Sequence, residues 1–262
     1  MNNNNHNTRE PIIEVNGVSK SFGVGQDAVV ALHEVSLTVE AGEFISLIGP
    51  SGCGKSTLMR VIADLIHPTS GDVRVKGKTA RQARADRDYG IVFQSPVLYE
   101  WRNIRRNVEL PLQVMGYPKS EWDGRVNAML ELVGLQDFDQ KYPWQLSGGM
   151  QQRVSIARAL AFQPSILLMD EPFGALDEIT REYMNLELLN IFTRTDVTII
   201  FVTHSIPEAV FLSTRVVVMT PRPGEIRTIV PIDLPHPRSF ETRETPRYYE
   251  LVTEVREALR LH

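Results

Sequence analysis

Gly49-Pro50-Ser51-Gly52-Cys53-Gly54-Lys55-Ser56 directly follows the apolar run Phe44–Ile48, and a helical pattern opens behind it from Ser56 toward Ile66. A strand that ends in a glycine-rich turn and passes straight into a helix leaves few folds open. The turn must curl its backbone N–H groups inward, and the helix N-terminus favours an anion among them. The octapeptide fits the pattern G-x-x-x-x-G-K-[ST], in which loop amides cradle a β-phosphate, the lysine reaches the β- and γ-phosphates, and the hydroxyl ligates Mg²⁺. Lys55 and Ser56 take those two places, with Thr57 next in line. Without its surroundings the octapeptide could be a glycine turn with a solvated lysine. The strand before it and the helix after it favour the phosphate reading.

The rest of the chain alternates short apolar runs with helical patterns, as an α/β sheet requires. Ile166–Met169, Thr198–Val202 and Val216–Met219 read as central strands buried on both faces, with Val73–Val75 and Tyr89–Phe93 as further strands. Residues 11–39 alternate apolar and polar, which predicts an antiparallel sheet at the front. From about Ser95 to Gln145 there is no strand-like run, and Val126, Met129, Leu130 and Val133 keep helical spacing, so this stretch reads as an inserted helical subdomain. Pro221–Pro237 reads as a turn, a short strand and a linker. After it, Tyr248, Leu251, Val252, Val255 and Leu259 form the stripe of an amphipathic helix, expected to pack on its own domain.

Composition narrows the function classes. With 28 basic against 32 acidic side chains and a net charge of -4, nothing electrostatic points to nucleic acid as the partner. Cys53 is the only cysteine, which excludes an intrachain disulfide and fits a reducing compartment. Met1–Glu10, rich in asparagine, reads as disordered and not as a signal peptide. No apolar run approaches the roughly 20 residues that a membrane-spanning helix needs, so the chain reads as soluble on its own. Arg81, Arg84 and Arg87 lie among Asp86 and Asp88 and read as a solvated loop.

Two further segments carry chemistry. Ile166–Met169 runs into Asp170 and Glu171, so one carboxylate can hold a Mg²⁺ shell and the next can polarise an attacking water. Leu146-Ser147-Gly148-Gly149-Met150 opens a helix at which Ser147 is placed as N-cap and two glycines allow close approach to an anion. Taken alone, this second segment is equally an ordinary capped helix.

From about Ile13 to Arg227 the chain resembles the ATP-binding-cassette ATPases, whose signature reads Leu-Ser-Gly-Gly-Gln. Leu146–Gly149 match it, and Met150 departs at the fifth position. The resemblance implies an α/β fold: a P-loop NTPase core with a mostly parallel sheet, an N-terminal antiparallel β-subdomain and an inserted helical subdomain. Residues 11–235 would form the ATPase domain, with the helical part at about 95–150, and 236–262 a linker and C-terminal helix. The cofactors implied are ATP and Mg²⁺. By the same resemblance Phe22 stacks on adenine, unless it is a core phenylalanine. Gln94 touches Mg²⁺ and senses the γ-phosphate, Asp177 lies in the loop that crosses to the opposite protomer, and His204 contacts the γ-phosphate. Asp170 would then sit on the metal and Glu171 act as general base. Two copies would sandwich two ATP molecules, with Ser147, Gly148 and Gly149 of one facing the nucleotide held by Lys55 of the other. Cys53 is assigned no catalytic role, and its modification is expected to block ATP binding.

The family also implies partners: transmembrane permease subunits, indirectly an external substrate-binding protein, and a peripheral place on the cytoplasmic face of the inner membrane. Ser95–Trp101 would receive a helix from the permease, unless Trp101 is core of the helical subdomain. Gly-Gly-Met-Gln-Gln-Arg and the turn from Met219 to Gly224 look like the nitrate, sulfonate, taurine and pyrimidine-precursor importers. The alternatives are a cassette ATPase of DNA repair or translation and a phosphate-loop kinase, in which Ser147–Gly149 and His204 would be idle. Asp64 stands where the family commonly has glycine and is expected to alter the cap of the first helix.

Overall fold

The computed structural model describes residues 11–23 and 25–260. The opening segment expected to be disordered therefore lies outside the described residues. In chain order the elements are β1 (Pro11–Phe22), β2 (Val29–Glu40), β3 (Phe44–Ile48), α1 (Lys55–Ile62), β4 (Ser70–Val75), β5 (Lys78–Thr79), α2 (Ala80–Ala85), β6 (Tyr89–Val92), α3 (Ile104–Val114), α4 (Lys119–Leu132), α5 (Gly148–Leu160), β7 (Ile166–Asp170), α6 (Glu178–Arg194), β8 (Thr198–Val202), α7 (Ile206–Leu212), β9 (Arg215–Met219), β10 (Ile226–Pro231) and α8 (Pro246–Arg260).

Two sheets organise these elements. The first has the order β2-β1-β4-β5 and is antiparallel; the second has the order β10-β9-β3-β8-β7-β6 and is parallel except for its β10 edge. The parallel strands are apolar at nearly every position because both faces are covered. Phe44, Ile48, Leu167, Met169, Ile199 and Phe201 face a cluster with the helical region. Ile45, Leu47, Ile166, Leu168, Ile200 and Val202 face one with α1 and the antiparallel sheet. Since β3, β6, β7 and β8 run the same way, their C-terminal ends come out along one edge, where ligands of open α/β sheets bind.

Two sequence expectations change. The first helix stops at Ile62 and not near Ile66, because Ala63 caps it and Asp64 takes a left-handed φ of 54°. Glycine is the usual residue there; Asp64 instead turns its carboxylate inward, 3.0 Å from Arg84 and 3.2 Å from His67. Residues 80–85, read as solvated loop, form α2. A capping box starts that helix: Gln82 N–H donates to Thr79 Oγ1 at 3.3 Å, and Thr79 N–H donates to Gln82 Oε1 at 3.2 Å. Between β6 and β7 the chain is helical, from α3 through α5.

The C-terminal stripe packs inward: Tyr248, Leu251, Val252 and Val255 are buried in the cluster that contains α7 and β9. Tyr248 OH donates to the Pro207 carbonyl at 3.0 Å. The buried Arg238 donates to the carbonyls of Phe211 at 2.8 Å, Ser213 at 3.0 Å, Leu234 at 3.2 Å and Val210 at 3.4 Å. Its guanidinium therefore closes the C-terminus of α7, where the helix dipole favours a cation. Burial draws its pKa down to about 10, which still leaves it charged at neutral pH. Arg238→Ala strips these carbonyls of their donor inside the core; the expected loss is about 3 kcal/mol, or about 6–12 °C in Tm for a domain of this size, read by differential scanning calorimetry.

Candidate functional site

The loop after β3 is held from beneath. Lys55 is buried, and its ammonium donates to the Gly49 carbonyl at 2.8 Å and the Pro50 carbonyl at 3.1 Å, with Cys53 Sγ at 3.8 Å. Gly54 takes a φ of 106°, and a Cβ there would stand 2.8 Å from the Ala31 carbonyl and 2.7 Å from Leu32 Cδ2, so only glycine lets the loop lie this close to β2. A pocket of about 390 Å³ opens over it, lined by Ser51, Gly52, Gly54, Lys55, Ser56 and Thr57 from the loop and α1. Phe22, Val29, Ala31, Glu171 and Arg222 complete the wall. Gly49, Pro50 and Cys53 lie outside that lining. The Cys53 thiol is buried, so a reagent reaches it only when the loop opens. Phe22 is 45% exposed with Lys20 Nζ 5.2 Å from its ring centroid, which rules out the core reading and leaves the ring free to stack on a planar ligand.

The carboxylates stand on the far side of one intervening strand, β8. Asp170, at the end of β7, accepts a hydrogen bond from Ser56 Oγ at 2.7 Å, which ties β7 to the first turn of α1. Glu171 has a φ of 46°, an uncommon conformation for a side chain with a Cβ and one that collects at functional sites. It is over-determined there: Glu171 N–H donates to the Val202 carbonyl at 3.0 Å, and the Gly174 N–H donates to the Glu171 carbonyl at 3.0 Å. Glu171 Oε2 lies 3.3 Å from His204 Nδ1. Gln94 comes in from the end of β6, its Nε2 3.2 Å from the point where a Cβ on Gly174 would be. Glu171, His204 and Gln94 thus converge beside Gly174.

His204 rests on a buried polar turn that sequence reasoning missed. Thr203 Oγ1 donates to Glu208 and accepts from the Ser205 N–H at 3.0 Å. Burial pushes the Glu208 carboxyl above the usual carboxylate range. The S-x-x-E pattern at Ser205 and Glu208 was the available signal, since Ser205 N-caps α7.

Ser147, Gly148, Gly149 and Asp177 do not line the pocket. Ser147 caps α5 by accepting from the Met150 N–H at 3.3 Å. Asp177 caps α6 by accepting from the Thr180 N–H at 3.0 Å, which holds its carboxyl below the usual range. The two segments adjoin: a Cβ on Gly148 would lie 3.6 Å from Leu176 Cδ2. Trp101, left open between core and surface, is 72% exposed and stacked on Tyr99 at 4.7 Å. Among the described residues no group of three His, Cys, Asp or Glu side chains could hold a metal ion.

A family model described as ABC transporter matches residues 32–174. The taurine import ATP-binding protein TauB of Roseobacter denitrificans is 46% identical over 215 residues, covering 82% of this chain and 80% of its own length. The nitrate import ATP-binding protein NrtD of Synechocystis sp. is 41% identical over 254 residues, covering 95% of each. Among solved structures, the dimeric post-hydrolysis state of the ATP-binding cassette MJ0796 bound to ADP and Pi matches with a TM-score of 0.72 and 34% identity, over 87% of this chain and 100% of that one.

With its thiol under the loop, Cys53 is expected to resist N-ethylmaleimide in the native protein and to react fully in urea, as read by intact mass. Rapid native labelling would mean that the loop opens without a ligand.

Proposed function

This chain belongs to the ABC transporter family as an ATP-binding, ATP-hydrolysing subunit, and on that premise we propose that it energises an importer for a small nutrient of the nitrate, sulfonate, taurine or pyrimidine-precursor kind. The observation that carries the reading is the separation of charge in the site. A buried ammonium waits in the phosphate loop, and Asp170, Glu171 and His204 stand at the neighbouring strand ends. A triphosphate placed on the loop amides draws Lys55 onto its β- and γ-oxygens, in place of the carbonyls of Gly49 and Pro50. Phe22 takes the adenine.

The donor set suits Mg²⁺. Ser56 Oγ and Asp170 Oδ1 are hard oxygens already 2.7 Å apart, and magnesium is commonly bound by one or two carboxylates plus substrate phosphates. When bound, the ion neutralises charge on the β- and γ-phosphates. Glu171 then accepts a proton from the attacking water, while His204 orients that carboxylate and reaches toward the γ-phosphate. Since Ser147–Gly149 and Asp177 do not line this chain's own pocket, a second copy supplies them in a sandwich dimer, a reading supported by the dimeric relative. The exposed Tyr99–Trp101 stack is the docking patch for a permease subunit fed by an external binding protein, at the cytoplasmic face of the inner membrane. No described helix is long and apolar enough to cross a membrane. The alternative of a non-transport cassette in DNA repair or translation is favoured by none of the relatives named above.

Glu171→Gln is expected to keep ATP binding, lower hydrolysis by about 10²–10⁴-fold, and accumulate an ATP-bound dimer visible by light scattering. Near-normal turnover in that variant would remove Glu171 from the role of base. For the docking patch, Trp101→Ala should leave Tm and solo ATPase unchanged, because the indole is exposed, while weakening co-purification with the permease and abolishing cargo-stimulated turnover. A variant that assembles and couples normally would sink the docking assignment.

A further inference from the structure

Among the described residues, Arg222 is the one cationic residue lining the nucleotide pocket besides Lys55. It sits at the tip of the turn from β9 to β10, and that turn is fastened to the phosphate loop. A Cβ on Gly224 would lie 1.9 Å from the Cys53 carbonyl oxygen, so only glycine permits the approach. Gly224 N–H donates to the Ala31 carbonyl at 3.0 Å, and the Gly224 carbonyl accepts from the His33 N–H at 3.0 Å. Thr220 Oγ1 donates to the Pro223 carbonyl at 3.1 Å and accepts from the Glu225 N–H at 2.9 Å, closing the turn on itself. The backbone that carries Arg222 is therefore held by both β2 and the loop.

Arg222 is exposed and has no hydrogen-bond or ion-pair partner among the described residues. Its Nη2 lies 3.9 Å from the point where a Cβ on Gly52 would stand, over the phosphate loop. The cation over the Phe22 ring is Lys20 and not Arg222, so the base side of the pocket is served by another residue. A planar guanidinium with its donors free, at the rim of a loop that wraps phosphate, matches the geometry by which arginine recognises phosphate oxygens.

We infer that Arg222 is a second cationic ligand for the phosphate chain of the bound nucleotide, donating from the outer rim while Lys55 serves from beneath the loop. The inference rests on the pocket being the ATP site, and its test separates the two. Mg-ADP binding to the full chain is measured by calorimetry at low and at high salt, for wild type, Arg222→Ala, Arg222→Glu and Lys55→Ala, with Tm recorded for each. Loss of one charge-assisted contact should raise Kd about tenfold in Arg222→Ala, further in Arg222→Glu, at unchanged Tm. The salt dependence of binding should flatten in Arg222→Ala, because one screened charge pair is gone. Wild-type affinity in Arg222→Ala, with binding lost in Lys55→Ala, overturns the inference and leaves the site in place. A loss equal at both salt levels assigns Arg222 to the base and overturns it too. Failure of the wild-type chain to bind Mg-ADP overturns both readings.

Discussion

An ammonium group buried against backbone carbonyls is the interaction on which the rest of this site depends. Lys55 has no carboxylate within ion-pair distance among the described residues, only the carbonyls of Gly49 and Pro50. A charge so placed is costly to bury unless dipoles surround it, and it remains ready for an anion that can displace them. The acids that could have quenched it are engaged elsewhere: Asp170 with Ser56, and Glu171 beside His204. Parallel strand order produces this partition, because β8 separates β3 from β7 while all three end on the same edge.

The helix that starts at Ser147 also grips the loop that follows Gln94. Gln152 Nε2 donates to the Phe93 carbonyl at 3.1 Å, and the Arg158 guanidinium donates to the carbonyls of Pro96 and Val97, both at 2.8 Å. Burial lowers the Arg158 pKa, which marks how far these contacts are withdrawn from solvent. From the other side Asn107 holds Tyr99, accepting from its N–H at 2.8 Å and donating to its carbonyl at 3.1 Å. The signature helix, the Gln94 loop and the exposed Tyr99–Trp101 stack are thus mechanically joined. A shift of Gln94 has a direct route to that exposed stack.

What could be read from the chain alone follows from how locally each feature is determined. Phe44–Ile48 and Thr198–Val202 match their strands end to end, since a five-residue apolar run rich in β-branched and aromatic side chains is too short for a helix and suits a strand covered on both faces. The helix after the loop was overextended, because the left-handed turn at Asp64 is stabilised by Arg84, which arrives from α2. The start of α2 is encoded locally by Thr79 and Gln82, whereas Arg81 and Arg84 alone carry the pattern of a solvated loop. The residue types of the site were legible because the phosphate loop and the Asp170–Glu171 pair are contiguous in sequence. The left-handed backbone at Glu171 was not, and neither was the place of Arg222. Its approach to Gly52 arises from the pairing of β9 with β3, a contact that no local pattern reports.

That same pairing sets a timetable for the molecule. The strand that delivers the phosphate loop, β3, leaves the ribosome well before the strands that flank it, which begin only at Thr198 and Arg215. Until the first of them has been synthesised, β3 has no neighbour in its sheet to hydrogen-bond with, and non-local pairings of this kind form slowly. A nascent chain that already carries Lys55, Asp170 and Glu171 but not yet β8 therefore lacks the strand that joins them. Nucleotide capture thus waits on strands that lie far downstream of the phosphate loop in the sequence.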